Sequence, residues 1–256
     1  MQLLLRQPVL LFVSVAVVLI ASNLIGYKLA SYTAVNDDHR RHEHISGLRE
    51  GLFVLLGLLL GFTVAMVLPR YDERRDLVGE EAHAIDTLQL RSDLLPEPQR
   101  SKSTDLLQQY VGARLDFARA TMLDASALEK TVLQTHILQQ QLWSEAVAVG
   151  AQDHTAVMAA YLKALDDMIG VAEKRLGAFE SRVPEAVWVI ILLVAAFQSF
   201  VAGYSLPQKF WLSHLVAPLI IAVVVGLIAD LDDPHTGLVR VSQASMERLA
   251  RNMTHQ

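Results

Sequence analysis

Four stretches of the chain contain no Asp, Glu, Lys or Arg, and a long segment between the second and third repeats apolar residues at helical spacing. The uncharged runs cover residues 8–27, 51–68, 186–204 and 210–229, which are 20, 18, 19 and 20 residues long. At ~1.5 Å of rise per residue, about 20 apolar residues cross the ~30 Å of hydrocarbon in a bilayer, so each run predicts a membrane-spanning helix. The first run is longer than the apolar core of a secretory signal and follows a single basic residue, Arg6. It is therefore expected to stay as a helix rather than to be cleaved. Residues 70–185 show no period-two alternation and predict a helical bundle.

Within that bundle, one helix is expected to continue from the second span through Asp76, Glu80, Ala84 and Leu88 until Pro96 and Pro98 stop it. A second is expected from about Glu97 to Thr121. Ser126 and Glu129 match a capping box and open a third, carrying Leu128, Val132, Ile137, Leu138 and Leu142, which Gly150 ends. Asp153 is expected to cap a fourth, whose stripe is Met158, Tyr161, Leu165, Met168, Ala172, Leu176 and Phe179 before Pro184. With no repeat and no low-complexity linker, residues 1–256 read as one integrated all-α membrane domain, the bundle being inserted between the second and third spans.

Composition agrees with this pattern: 52% of residues are apolar and 19% charged. The formal charge of -5 leaves no basic surface for nucleic acid. Zero cysteines remove disulfides, thiolate metal sites and cysteine nucleophiles together. No phosphate loop, dinucleotide fingerprint, His-Glu-x-x-His or nucleophile elbow occurs, so the chain is not expected to be an enzyme.

Four spans put both termini and the bundle on one side, with residues 28–50 and 206–209 on the other. Near the membrane the first side carries nine basic residues, Arg6, Arg70, Arg74, Arg75, Lys174, Arg175, Arg182, Arg240 and Arg248. Lys28, Arg40, Arg41, Arg49 and Lys209, five in all, lie on the second. The excess predicts cytoplasmic termini.

In the second span Gly57 and Gly61 form a Gly-x-x-x-Gly pair, which lets another helix approach closely within one subunit or between copies. Next come Leu60, Gly61, Phe62, Val64 and Val67, then Arg70 and Tyr71, where charge begins abruptly. This run resembles the pore helix of bestrophins. Residues 70–85 (RYDERRDLVGEEAHAI), the 94–100 turn (LLPEPQR), Asp230 to Pro234 and Gly237 to Ser242 resemble the bacterial bestrophin-like family. That resemblance implies a homo-oligomer, pentameric in bestrophins, whose second helices surround an axis that passes small inorganic ions, with anions preferred in the family's manner.

By the resemblance, Val54, Leu58 and Phe62, at steps of four, match a bestrophin neck, where an apolar constriction gates by dewetting. The same stripe could equally pack against another helix. Arg70, Tyr71, Asp72 and Glu73 form the expected pore mouth, and Asp72 departs from the family by standing where a second aromatic is usual. Asp230, Asp232 and Asp233 stand where bestrophins carry an acidic calcium clasp. Calcium wants six to eight oxygens, and a helix end with Asp232 and Asp233 capping the next turn and pairing with Arg70, Arg74 or Arg240 is the favoured reading.

The outer loop holds Asp37, Asp38, His39, Arg40, Arg41, His42, Glu43 and His44. Asp38 and His42 lie one helical turn apart, which suits a zinc or copper ion, and the imidazoles suit proton sensing, but the interleaved Arg40 and Arg41 favour a solvated loop. Inside the spans, Asn23, Gln198 and His214 are expected to face protein or water rather than lipid, and Gln198 alone lies near mid-span. A passive oligomeric channel is the expected function, with the lipid bilayer and further copies of the chain as its partners and no required cofactor. The rival is a non-conducting membrane scaffold or sensor whose bundle recruits a partner.

Overall fold

The computed structural model describes residues 8–33, 39–120, 125–151, 155–205, 213–234 and 238–254. All regular structure among them is helical: α1 (Pro8–Thr33), α2 (His39–Ser92), α3 (Gln99–Ala120), α4 (Ala125–Gly150), α5 (Ala156–Glu180), α6 (Glu185–Ser205), α7 (Ser213–Asp232) and α8 (Ala244–Met253). Four of the helical stretches are long and apolar enough to cross a membrane, and each carries one of the uncharged runs, the fourth from residue 213 onward. The protein is a multi-pass membrane protein.

Several boundaries differ from the sequence expectation. Helix α1 continues six residues past Tyr27 to Thr33, with the Ser31 hydroxyl donating back to the Lys28 carbonyl. Helix α2 begins at His39, not Gly51, because the intervening residues contain no proline to interrupt a helix. It passes through Pro69 and ends at Ser92, short of the expected Pro96. There the chain tightens into three-residue turns, Leu94 N–H bonding Arg91 C=O and Leu95 N–H bonding Ser92 C=O, because the residue before a proline is excluded from the helical region. Asp153 lies outside the described residues; the cap of α5 is Thr155, whose hydroxyl oxygen accepts from the Met158 amide at 3.4 Å.

The chain divides into two compact units. The first comprises Met1–Pro69 and Arg182–Val239. In it α1 packs against both α6 and α7, around Leu11, Val15, Leu19, Leu56, Trp188, Ile191, Ala195, Val225 and Ile228. Contact between α1 and α6 is backbone to backbone: a Cβ at Gly26 would be driven into the Phe200 carbonyl oxygen, and one at Gly203 into that of Asn23. Three polar side chains fasten the seam. Ser22 donates to the Ala196 carbonyl at 2.7 Å, Asn23 to that of Ser199 at 3.0 Å, and Ser199 to that of Leu19 at 2.8 Å. Asn23 therefore sits well inside the lengthened α1 rather than near its end, and meets a partner across the seam.

The second unit comprises Arg70–Ser181 and Arg240–Gln256. Its core joins Ile85 and Leu88 of α2, Leu107 and Tyr110 of α3, Leu138 and Leu142 of α4, Tyr161, Leu165 and Met168 of α5, and Met246, Leu249 and Met253 of α8. The stripe expected on α5 is buried from Met158 through Ala172 and only partly covered at Leu176 and Phe179.

Candidate functional site

Helix α2 turns a narrow face inward. Leu56, Thr63 and Val67, seven and four residues apart, are buried, and the Thr63 hydroxyl returns to the Leu59 carbonyl at 2.7 Å. The opposite face carries the expected neck residues: Val54 is 69% exposed, Leu58 53% and Phe62 65% within the single chain. Their spacing of four keeps them on one side of the helix. Gly57 and Gly61 lie outward too, since a Cβ at either would meet no atom within 4 Å beyond the helix's own backbone. Only 17% of the apolar window of α2 is buried, against 50% of the window in α7. A span so poorly covered by its own chain offers most of its surface to lipid or to another molecule.

Beyond Pro69, Arg70, Tyr71 and Asp72 begin the second unit, and all three are half-buried. The Arg70 carbonyl accepts from Arg74 Nε at 3.2 Å, and the Tyr71 hydroxyl donates to the Arg240 carbonyl at 3.5 Å. Asp72 pairs with Arg75 at 3.5 Å on an exposed surface, where an ion pair contributes little. Glu73 is exposed.

The acidic residues that end α7 are all buried, yet they point to three different partners. Asp230 accepts from the amides of Leu238 at 2.6 Å and Val239 at 2.8 Å. Both oxygens of Asp232 lie within 3.2 Å of the Val183 amide, and Asp233 pairs with Arg182 at 3.4 Å. Each carboxylate ties a stretch of chain to the end of α7, which falls at Asp232, and Arg182 was not among the arginines expected to take part.

Asp37 and Asp38 lie outside the described residues, as do the side chains of His39 to Glu43 and His214. His44 is exposed. Among the described residues no group of three His, Asp or Glu side chains is placed to hold a metal ion.

Sequence reasoning missed a charged cluster at the centre of the second unit. Glu81 is fully buried on α2 and meets two arginines. Arg114 of α3 donates from Nε and Nη2 to its two oxygens, and Arg175 of α5 donates from Nη1 at 2.6 Å. Arg175 Nη2 also reaches Gln243 Oε1 at 2.8 Å, just before α8, and the Arg114 and Arg175 guanidiniums lie over the Phe117 ring at 4.6 and 5.7 Å. Burial pushes the Glu81 carboxyl upward, but the two guanidiniums outweigh it and hold the group below its ordinary value. Tyr110, beside Glu81 and accepting from Gln139, is driven upward by burial and then by the Glu81 charge, so it stays a neutral phenol. A signal existed. Glu81 falls in register with Val78, Ala82, Ile85 and Leu88, and Arg114 with Leu107, Tyr110, Val111 and Phe117, so each charge stands on an apolar stripe.

The family model of the bestrophin-like domain matches residues 11–246. The chain belongs to the bestrophin-like family. Crystal structures of a bacterial bestrophin homolog from Klebsiella pneumoniae share the fold. One variant aligns at 14% identity over 96% of this chain and 99% of that chain, with a TM-score of 0.66. A second variant aligns at 16% identity over the same shares, also at 0.66. The structure phased on zinc aligns at 15% identity over 95% of this chain and 97% of that one, at 0.64. No curated protein matches the chain.

Proposed function

We propose that this bestrophin-like protein assembles with further copies of itself into a passive channel for small inorganic ions in a bacterial inner membrane. Its termini and helical bundle face the cytoplasm. Five copies is the stoichiometry that the family resemblance suggests. One observation carries the reading: the second apolar helix directs Val54, Leu58 and Phe62 away from its own chain, along with the glycine pair that admits a neighbouring helix. In a ring of copies those three side chains line the axis as an apolar neck, which resists ions by excluding water until it widens. The neck carries no charge, so the preference for anions rests on the family resemblance and on Arg70 at the mouth, with Asp72 and Glu73 acting against it. No bound cofactor is needed.

The test is ion flux into liposomes holding the purified full-length protein, with chloride and potassium gradients run separately. Phe62→Ala and Leu58→Ala should each raise flux several-fold over the native chain, with chloride favoured over potassium. Silence from the native chain and both variants, in folded oligomers, would overturn the channel reading in favour of a non-conducting scaffold.

A further inference from the structure

Gln198 is 5% exposed on α6, and its Oε1 is buried with no hydrogen-bond partner. Its depth is fixed by its neighbour Ser199, whose hydroxyl bonds Leu19 and whose carbonyl accepts from Asn23. Leu19 and Asn23 straddle the middle of α1, so Gln198 lies deep within the membrane, beyond easy reach of headgroups. The nearby polar side chains Ser22, Asn23 and Ser199 each donate to a backbone carbonyl across the seam. By helical spacing Gln198 instead continues the stripe of Trp188, Ile191 and Ala195, which packs in an apolar core.

A neutral amide held among hydrocarbon side chains is costly unless something satisfies it. Lipid cannot reach a residue covered by its own chain. An ion would find no counter-charge in the four uncharged runs. What fits an uncharged donor and acceptor in a small space is water, given a second polar group to hold it. In the same unit Pro218 cannot supply the amide that the His214 carbonyl would bond in an unbroken helix. Pro218 is five residues after the start of α7, and Gln198 is seven before the end of α6, so both lie in the half of the unit nearest the α6–α7 connection.

We propose that Gln198 anchors a water-binding pocket inside the membrane unit of each copy, separate from the neck surface on α2. The pocket gives the unit a hydrated interior point that does not depend on assembly or on conduction.

Water-edited solid-state NMR on the native full-length protein in liposomes tests the proposal with the anchoring amide intact. Magnetisation should pass from water to the Gln198 side-chain amide much faster than to Ile191, fully buried on the same stripe, and approach the rate at the exposed Gln134. Transfer to Gln198 as slow as to Ile191 would overturn the proposal. The readout does not involve flux, so this proposal and the channel reading fail separately.

Discussion

The two units fill their interiors with different chemistry. Among the described residues, the α1–α6 seam of the first unit, which holds the apolar spans, contains no buried ion pair; it joins helices through Gly26, Gly203 and hydrogen bonds from neutral side chains to carbonyls. The second encloses a glutamate between two arginines and surrounds them with aromatic and aliphatic side chains. Association of helices within lipid has little hydrophobic drive, so close backbone approach and small residues do what apolar burial does elsewhere. With the bundle in the cytoplasm, as proposed, water around the second unit supplies that drive, and the fold can then carry a buried charge cluster that fixes which helices meet.

The largest effect that would break this contrast is at Glu81. Replacing it with Gln leaves two buried guanidiniums without a counter-charge and should destabilise the second unit by about 3 to 5 kcal/mol in denaturant unfolding. If the cluster acts through specificity, the triple change Glu81→Leu, Arg114→Met and Arg175→Met should recover most of that loss. The pH dependence has a definite sign. The native pKa of Glu81 lies below the ordinary 4.5, so its stabilisation is fully present above 4.5 and is lost as pH falls through the native value. The native chain should therefore lose stability on acidification more steeply than Glu81→Gln.

The seam should respond next most strongly. Gly203→Ala or Gly26→Ala places a methyl group against a backbone carbonyl that cannot rotate away, and should cost about 3 kcal/mol in detergent unfolding. Gly57→Ala and Gly61→Ala should leave the unfolding of a single chain unchanged, because nothing lies within 4 Å, and should weaken the oligomer seen by cross-linking. Equal destabilisation from all four substitutions would erase the distinction between glycines that join helices inside the chain and glycines held for a neighbour.

The glycines also indicate what could be read beforehand. Four spans were legible because charge is excluded from them over their whole length, and the bundle because its apolar steps persist through α5. The Gly57–Gly61 pair was visible as a motif on one helix, yet inside the chain a side chain there would touch nothing. Gly26 and Gly203 stand on helices far apart in sequence, and only the meeting of α1 with α6 gives either a role. Glu81, Arg114 and Arg175 were hidden similarly: each can be placed on an apolar stripe, but their mutual satisfaction depends on three helices converging. The stripe of Val54, Leu58 and Phe62 could be placed on one helix face, while the direction of that face required the rest of the unit. The pairing of Asp233 with Arg182 was not foreseen, because Arg182 comes within reach only when α7 returns beside the start of α6.

The smallest effects sharpen the contrast between neutral hydrogen bonds in the two interiors. In the second unit Ser103 and Tyr161 share a buried hydrogen bond of 2.7 Å, and burial raises the Tyr161 pKa, so the hydroxyl is always present. Ser103→Ala strands that hydroxyl away from water and should cost about 1 to 2 kcal/mol. Asn23→Leu removes the donor to the Ser199 carbonyl, but that carbonyl can keep its own helical amide, and the leucine replaces a polar group with an apolar one of similar size. Its cost should be about 0.6 kcal/mol, the average for such bonds within membranes. A loss at Asn23 as large as that at Ser103, measured by unfolding under one detergent condition, would mean that the seam depends on its hydrogen bonds rather than on the fit of Gly26 and Gly203.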